Sequence, residues 1–200
     1  TLEFSVFGTP GLSVGDINGD GLDDVYLCQE QGLPNLLLRQ NKDGSATDIS
    51  AWAGVNWLES TRSSLLVDVD NDGDQDLIAA MPGAVIVSVN DGSGRFTISQ
   101  SLGVDDDPMS MAAADFDADG DIDFYVTLYN PNRPIEKSDA AVRNSTSTGF
   151  VYHDANNGPP NVLFRNNLSD GRAVFSDVTL QSGLNVNNRR YSLAASWEDF

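Results

Sequence analysis

The chain has 200 residues and a mass of 21.5 kDa, and its 40% hydrophobic content is enough to bury a core and too much for a disordered acidic tail. Eleven Lys and Arg against 30 Asp and Glu leave a formal net charge of −19 and a pI near 4.1. Such a surface repels nucleic-acid phosphates and anionic lipid, and no run reaches the roughly 18 apolar residues of a membrane span, so neither nucleic acid nor membrane insertion is expected.

Only five of the 30 acids are Glu (Glu3, Glu30, Glu59, Glu136 and Glu198), which leaves 25 Asp. Asp is a poor helix former that favours caps, turns and metal loops, so the acids point to loop chemistry. The chain opens at Thr1 without a basic-then-apolar leader, as expected of a mature product or a segment of a longer chain.

In chain order, a first apolar strand is predicted over 12–15, entering the acidic phrase Asp16-Ile-Asn18-Gly-Asp20-Gly21-Leu22-Asp-Asp24. A second strand leaves it at 24–28 and a third follows at 35–39. The Asn41-Lys-Asp-Gly44 turn and a fourth strand at 46–50 close the unit. Cys28, the single cysteine, ends an apolar run, can form no internal disulfide, and is expected in the core.

The pattern then recurs. Strand 65–67 enters Asp68-Val-Asp70-Asn-Asp72-Gly73-Asp74-Gln-Asp76, followed by strands at 76–80, 84–88 and 96–99 around an Asn90-Asp-Gly92 turn. Strand 111–114 enters Asp115-Phe-Asp117-Ala-Asp119-Gly120-Asp121-Ile-Asp123, followed by strands at 123–127, 161–165 and 175–179 around Asn167 to Gly171. The first aspartates are 52 and 47 residues apart (16 to 68, 68 to 115), a period of about 50. Tyr191 to Asp199 repeats the lead-ins, so a fourth loop is expected to begin at Asp199. The longer interval to Asp199 is accounted for by a Pro-, Asn- and Ser-rich insertion at about 130–160.

Four short antiparallel strands per 50 residues make one propeller blade. The expected fold is therefore all-β: a β-propeller of four-stranded blades, about three blades plus the first strand of a fourth. The repeats fall at roughly 11–60, 61–107, 108–190 and 191–200. A ring needs about four blades or more, so the chain is expected to be part of a longer propeller with open edges.

Each acidic phrase reads D-x-[DN]-x-D-G-x-x-D. Alternate side chains of a tight turn can aim oxygens at one point, and the glycine at position six permits the positive φ that closes the turn. Crowded carboxylates need a cation between them, and loops without His or Cys favour a hard ion over zinc. Calcium is therefore expected at Asp16, Asn18, Asp20 and Asp24; at Asp68, Asp70, Asp72 and Asp76; and at Asp115, Asp117, Asp119 and Asp123. Leu22, Asp74 and Asp121 would add backbone carbonyls, giving about three ions and an incomplete fourth site at Asp199. An EF-hand is excluded, because its bidentate Glu would fall at loop position 12, where Leu27, Ala79 and Val126 stand, and its flanks would be helical.

The phrase from Phe7-Gly8 through Asp24, with Phe175-Ser-Asp-Val-Thr and Thr47-Asp-Ile-Ser followed by Gly-hydrophobe steps, resembles the FG-GAP/VCBS repeat family. That family includes the integrin α-like propellers, and the subgroup most similar here is found with ASPIC/UnbV domains and in cartilage acidic protein. The resemblance implies a calcium-binding, non-enzymatic propeller that is extracellular, on the cell surface or periplasmic, and binds proteins or glycans. The 130–160 insertion, with Arg133, Arg143, Phe150 and Tyr152 and with Tyr129 at its edge, is the candidate contact surface. Two other readings stand beside it. In one the chain is a segment of a secreted polysaccharide-acting, lyase-type enzyme using His153, near Lys137, Arg143 and Asp154, as a general base. In the other it is a scaffold beside another domain. Asn144 and Asn167 head two glycosylation sequons, relevant only in a eukaryotic secretory setting.

Overall fold

A computed structural model describes residues 10–129 and 158–197. Strands β1 (Leu12–Gly15), β2 (Asp24–Leu27), β3 (Leu36–Gln40) and β4 (Ala46–Asp48) form the first sheet, followed by a short helix, α1 (Ser50–Ala53). Strands β5 (Ser63–Val67), β6 (Asp76–Met81), β7 (Ala84–Asn90) and β8 (Phe96–Gly103) form the second. Strands β9 (Pro108–Ala114), β10 (Asp123–Leu128), β11 (Val162–Asn166) and β12 (Phe175–Asp177) form the third.

In every sheet the spatial order follows the sequence order and all neighbours are antiparallel. The repeat therefore delivers three four-stranded units. The helical flanks of an EF-hand are absent: each acidic loop joins two paired strands, Gly15 opposite Asp24, Val67 opposite Asp76 and Ala114 opposite Asp123.

The hydrophobic core lies between sheets rather than within one. β5 packs against both β1 and β9. Ile17, Tyr26, Leu37 and Val55 of the first unit bury against Leu66, Leu77 and Phe96 of the second. Val69, Ile78, Val85 and Val87 of the second bury against Phe124, Val126, Leu128 and Phe164 of the third. This explains the patterning: all six residues of β6 are buried because both faces are covered, whereas β2 alternates buried and half-buried residues. Each fully buried side chain of this size contributes roughly 1.5–3 kcal/mol.

The units are also stitched by polar contacts at and beside their first strands. The Gly11 N–H donates to the Arg62 carbonyl at 3.0 Å, and the Ser13 and Ser64 hydroxyls lie 2.9 Å apart. Asn35 and Asn161, just ahead of β3 and β11, do the same, Asn35 Nδ2 donating to Thr61 Oγ1 at 2.7 Å and Asn161 Nδ2 to Ser192 Oγ at 2.9 Å.

Several boundaries differ from the sequence reading. The fourth strand expected over 46–50 ends at Asp48, and Ser50 begins α1. The Asp48 carboxylate accepts both the N–H and the hydroxyl of Ser50, and the Ser50 oxygen in turn accepts the Leu37 N–H at 2.7 Å, which ends the ladder in a turn. Asp177 and Thr179 repeat the device, so β12 stops at Asp177 instead of 179. β8 runs to Gly103, past the expected 99, because β7 offers it a partner from Ala84 onward. The described residues of the expected fourth lead-in, 191–197, form no strand; Trp197 Nε1 instead donates to the Ala112 carbonyl of β9 at 3.1 Å. A ladder requires a hydrogen-bonded neighbour, and none runs beside this segment among the described residues.

Cys28 is buried and unpaired, and burial raises its thiol pKa, so it is a core residue as expected. Most of the 130–160 insertion, including Arg133, Lys137, Arg143, Asn144, Phe150, Tyr152, His153 and Asp154, lies outside the described residues.

Candidate metal centre

The three acidic loops share one backbone course. Position four has positive φ in each, at Gly19 (68°), Asn71 (60°) and Ala118 (58°), and so does position six, at Gly21 (83°), Gly73 (96°) and Gly120 (95°). The glycine at position six was legible in the sequence. The second left-handed position was not, because its three residues differ and only Gly and Asn advertise it.

Position one holds the turn together. The N–H of the position-six glycine donates to the first aspartate in every loop: Gly21 to Asp16 at 2.8 Å, Gly73 to Asp68 at 2.9 Å and Gly120 to Asp115 at 3.0 Å. Burial alone would raise the Asp16 carboxyl, but the N–H groups of Gly21, Asn18, Asp20 and Gly19 together hold it below the ordinary value.

Position nine anchors the loop to the sheet. Both oxygens of each ninth aspartate accept backbone N–H groups, one from loop position two and one from the end of the third strand. Asp24 takes Ile17 at 3.2 Å and Gln40 at 2.8 Å; Asp76 takes Val69 at 2.9 Å and Asn90 at 2.8 Å; Asp123 takes Phe116 at 3.0 Å and Asn166 at 2.8 Å. All three carboxyls are fully buried. Burial raises each of them, with neighbouring loop aspartates adding to the shift, and Asp76 is pushed up to about 7. Asp70 is raised in the same way, by burial first and by Asp72 next.

The first, third and ninth side chains converge. Asp68, Asp70 and Asp76, and likewise Asp115, Asp117 and Asp123, bring carboxylate oxygens within 4.8 Å of one another. In the second loop Asp68 Oδ1 and Asp70 Oδ1 are buried without a hydrogen-bond partner. A pair of orphaned acceptors beside a raised carboxyl suits a hard divalent ion, which takes oxygen ligands and would neutralise the cluster.

The fifth side chains do not join those groups. The Oδ1 atoms of Asp20, Asp72 and Asp119 instead accept the position-seven N–H of Leu22, Asp74 and Asp121 at 2.9, 2.9 and 3.0 Å. In the first loop the third position is Asn18, whose amide oxygen accepts the Asp20 N–H at 3.0 Å, so three acids are not gathered there. Asp199 lies outside the described residues.

Sequence reasoning missed the amides that join one loop to the next. The third strands end in Gln40, Asn90 and Asn166, and the side chains of Asn90 and Asn166 reach the loop of the preceding unit, donating to the Ile17 carbonyl at 2.8 Å and the Val69 carbonyl at 2.7 Å. A recurring Asn or Gln at the end of each third strand is the available signal; of the three, the sequence reading uses only Asn90, and that as turn chemistry.

The family model described as the FG-GAP-like repeat matches residues 16–79 and 68–126, together 111 of the 200 residues (16 through 126). Cartilage acidic protein 1 of Xenopus tropicalis is 28% identical over an alignment of 125 residues that covers 59% of this chain. The chain spans about a fifth of that relative's length, 19%. Among the described residues no helix is long and apolar enough to cross a membrane.

Proposed function

This chain belongs to the FG-GAP-like repeat family, and from that premise we propose that it is a calcium-binding segment of a β-propeller, non-enzymatic, working outside the cell as a module that binds a protein or a glycan. The observation that carries the reading is the convergence of Asp68, Asp70 and Asp76, and of Asp115, Asp117 and Asp123, with two orphaned buried oxygens in the second loop. Asp16, Asn18, Asp20 and Asp24 form the third member of the set, and the carbonyls of Leu22, Asp74 and Asp121 complete the coordination. A divalent ion supplies the positive charge that lets these carboxylates stay ionised side by side.

The side-by-side packing of β1, β5 and β9 is what supports the propeller, with each sheet a blade and those strands innermost. Asn35 meets Thr61 and Asn161 meets Ser192, and Thr61 and Ser192 each stand seven residues before an aspartate, Asp68 and Asp199. That equivalence supports repeats at 11–60, 61–107 and 108–190 with a fourth starting at 191.

Three bound ions would change the formal charge from −19 to −13 (−19 plus 6), so neutral or cationic partners are favoured. Loops that fill where calcium is plentiful fit an extracellular or periplasmic setting.

The test is thermal unfolding in excess chelator, in calcium and in magnesium, with a calcium titration that counts bound ions. A calcium-specific rise in Tm with about three ions per chain is expected. No rise, or an equal rise with magnesium, would sink the reading.

A further inference from the structure

The acidic loops are joined in series. Starting from the first unit, the Gln40 N–H meets Asp24, Asp24 meets the Ile17 N–H, and the Ile17 carbonyl accepts Asn90 Nδ2. The Asn90 N–H meets Asp76, Asp76 meets the Val69 N–H, and the Val69 carbonyl accepts Asn166 Nδ2. The Asn166 N–H meets Asp123, which holds the Phe116 N–H. Each of the two asparagines thus bonds the ninth aspartate of its own loop through its backbone and position two of the previous loop through its side chain.

The direction of these amides is fixed. Asn90 Oδ1 accepts the Gly92 and Gly94 N–H groups at 3.2 and 3.0 Å, and Asn166 Oδ1 accepts the Val174 N–H at 3.2 Å. Only an oxygen can occupy that end, so the NH2 end faces the preceding loop. Both side chains are buried, as are Ile17 and Val69, which insert into the two inter-sheet clusters. Position two sits between the first and third ligands and cannot move independently of them.

A second contact joins only the later pair. Asn71 Nδ2 donates to Asp121 Oδ1 at 3.0 Å and to the Gly120 carbonyl at 3.4 Å, whereas the first loop has Gly19 at that position and no side chain to reach across.

We propose that Asn90 and Asn166 are positioning residues that couple the three loops, so that they take up their cations cooperatively, with the second and third loops coupled more strongly than the first and second. A cation that draws positions one, three and nine of one loop together resets position two, and through the asparagine it presets the ninth aspartate of the next. The proposal rests on the calcium reading above.

The experiment is a calcium titration of the 15N-labelled protein, following the amide resonances of Gly21, Gly73 and Gly120, each of which reports its own loop. The three curves should rise together and more steeply than single-site binding. Asp70→Ala, which removes the position-three ligand of the second loop and leaves both asparagines intact, should raise the midpoints of Gly21 and Gly120 by about fivefold or more, Gly120 the more strongly. In an Asn90→Ala background the same Asp70→Ala change should no longer move Gly21, a cycle that a general loss of stability would not produce. Should Asn90→Ala fail to fold, Asn90→Asp keeps the acceptor for Gly92 and Gly94 and exchanges the donor to the Ile17 and Gln75 carbonyls for a carboxylate oxygen that, ionised, cannot bond them. Independent curves in the wild type, or equal shifts at all three glycines in the Asn90 variant, would overturn the coupling while leaving the calcium reading intact. Resonances that ignore calcium altogether would remove the calcium reading, and the coupling with it.

Discussion

Asp24, Asp76 and Asp123 are buried, each accepts two backbone N–H groups, and each is also a proposed cation ligand, and the two roles pull their protonation in opposite directions. Without a cation, burial and the neighbouring aspartates favour the neutral acid, most strongly at Asp76, whose carboxyl is pushed from 3.8 up to about 7. Between those values the folded state keeps a proton that the unfolded chain has lost. The contribution is therefore full below pH 3.8 and is lost as the pH rises through about 7. In chelator, Tm should fall between about pH 5 and about pH 8, and calcium, by holding the carboxylate charged, should abolish the fall. Differential scanning calorimetry across that range checks it; a chelated protein that gains stability with rising pH would refute the assignment. At this scale the sequence was half legible. The spacing identified the aspartates at positions one, three, five and nine, but it could not show that Asp72 and Asp119 are turned onto the position-seven N–H while Asp76 and Asp123 are turned inward, because that is decided by which strand end lies opposite.

The strands themselves were legible nearly in full. Alternating β-branched and apolar runs between Asp-Gly and Asn-Gly turns leave little else for 12–15, 24–28 or 84–88 to be. What the pattern could not supply was where a strand stops, since a ladder ends when a side chain offers the backbone a better partner. Asp48 does this for Ser50, and Asp177 for Thr179. Nor could it show how closely the first strands of adjacent units approach. A Cβ at Gly11 would sit 2.9 Å from the Arg62 carbonyl oxygen and 3.2 Å from the Ser63 Cα, both main-chain atoms that cannot swing aside. Gly11→Ala should thus push β1 off β5 and cost about 1–3 kcal/mol, read as a lower denaturant midpoint. Gly83→Ala, at a position with φ of 76° and open space around the site of its Cβ, is the control: its cost should be backbone strain alone, with the contact between the first and second sheets preserved.

At the scale of the molecule, the core among the described residues is divided into two inter-sheet layers that share the second sheet, so stability should follow nearest-neighbour rules as in repeat proteins. Phe124 is the hub of the later layer, fully buried with its ring 5.2 Å from Phe164 and 4.9 Å from Phe175. Phe124→Ala should cost about 3–5 kcal/mol, but the loss should not spread evenly. The third sheet would lose its grip on the second, while Tyr26, Leu37 and Leu77 go on burying one another across the first interface. Native-state hydrogen exchange in chelator should therefore show protection lost along β9 to β11 and largely kept in β2, β3 and β6, whose N–H groups are sealed by the earlier layer. Adding calcium should narrow that difference, because the hydrogen-bonded series through Asn166 and Val69 ties the third loop to the second independently of the Phe124 ring. Protection lost uniformly from all three sheets would mean that the molecule unfolds as one unit and that the repeat, though plain in the sequence, does not partition its stability.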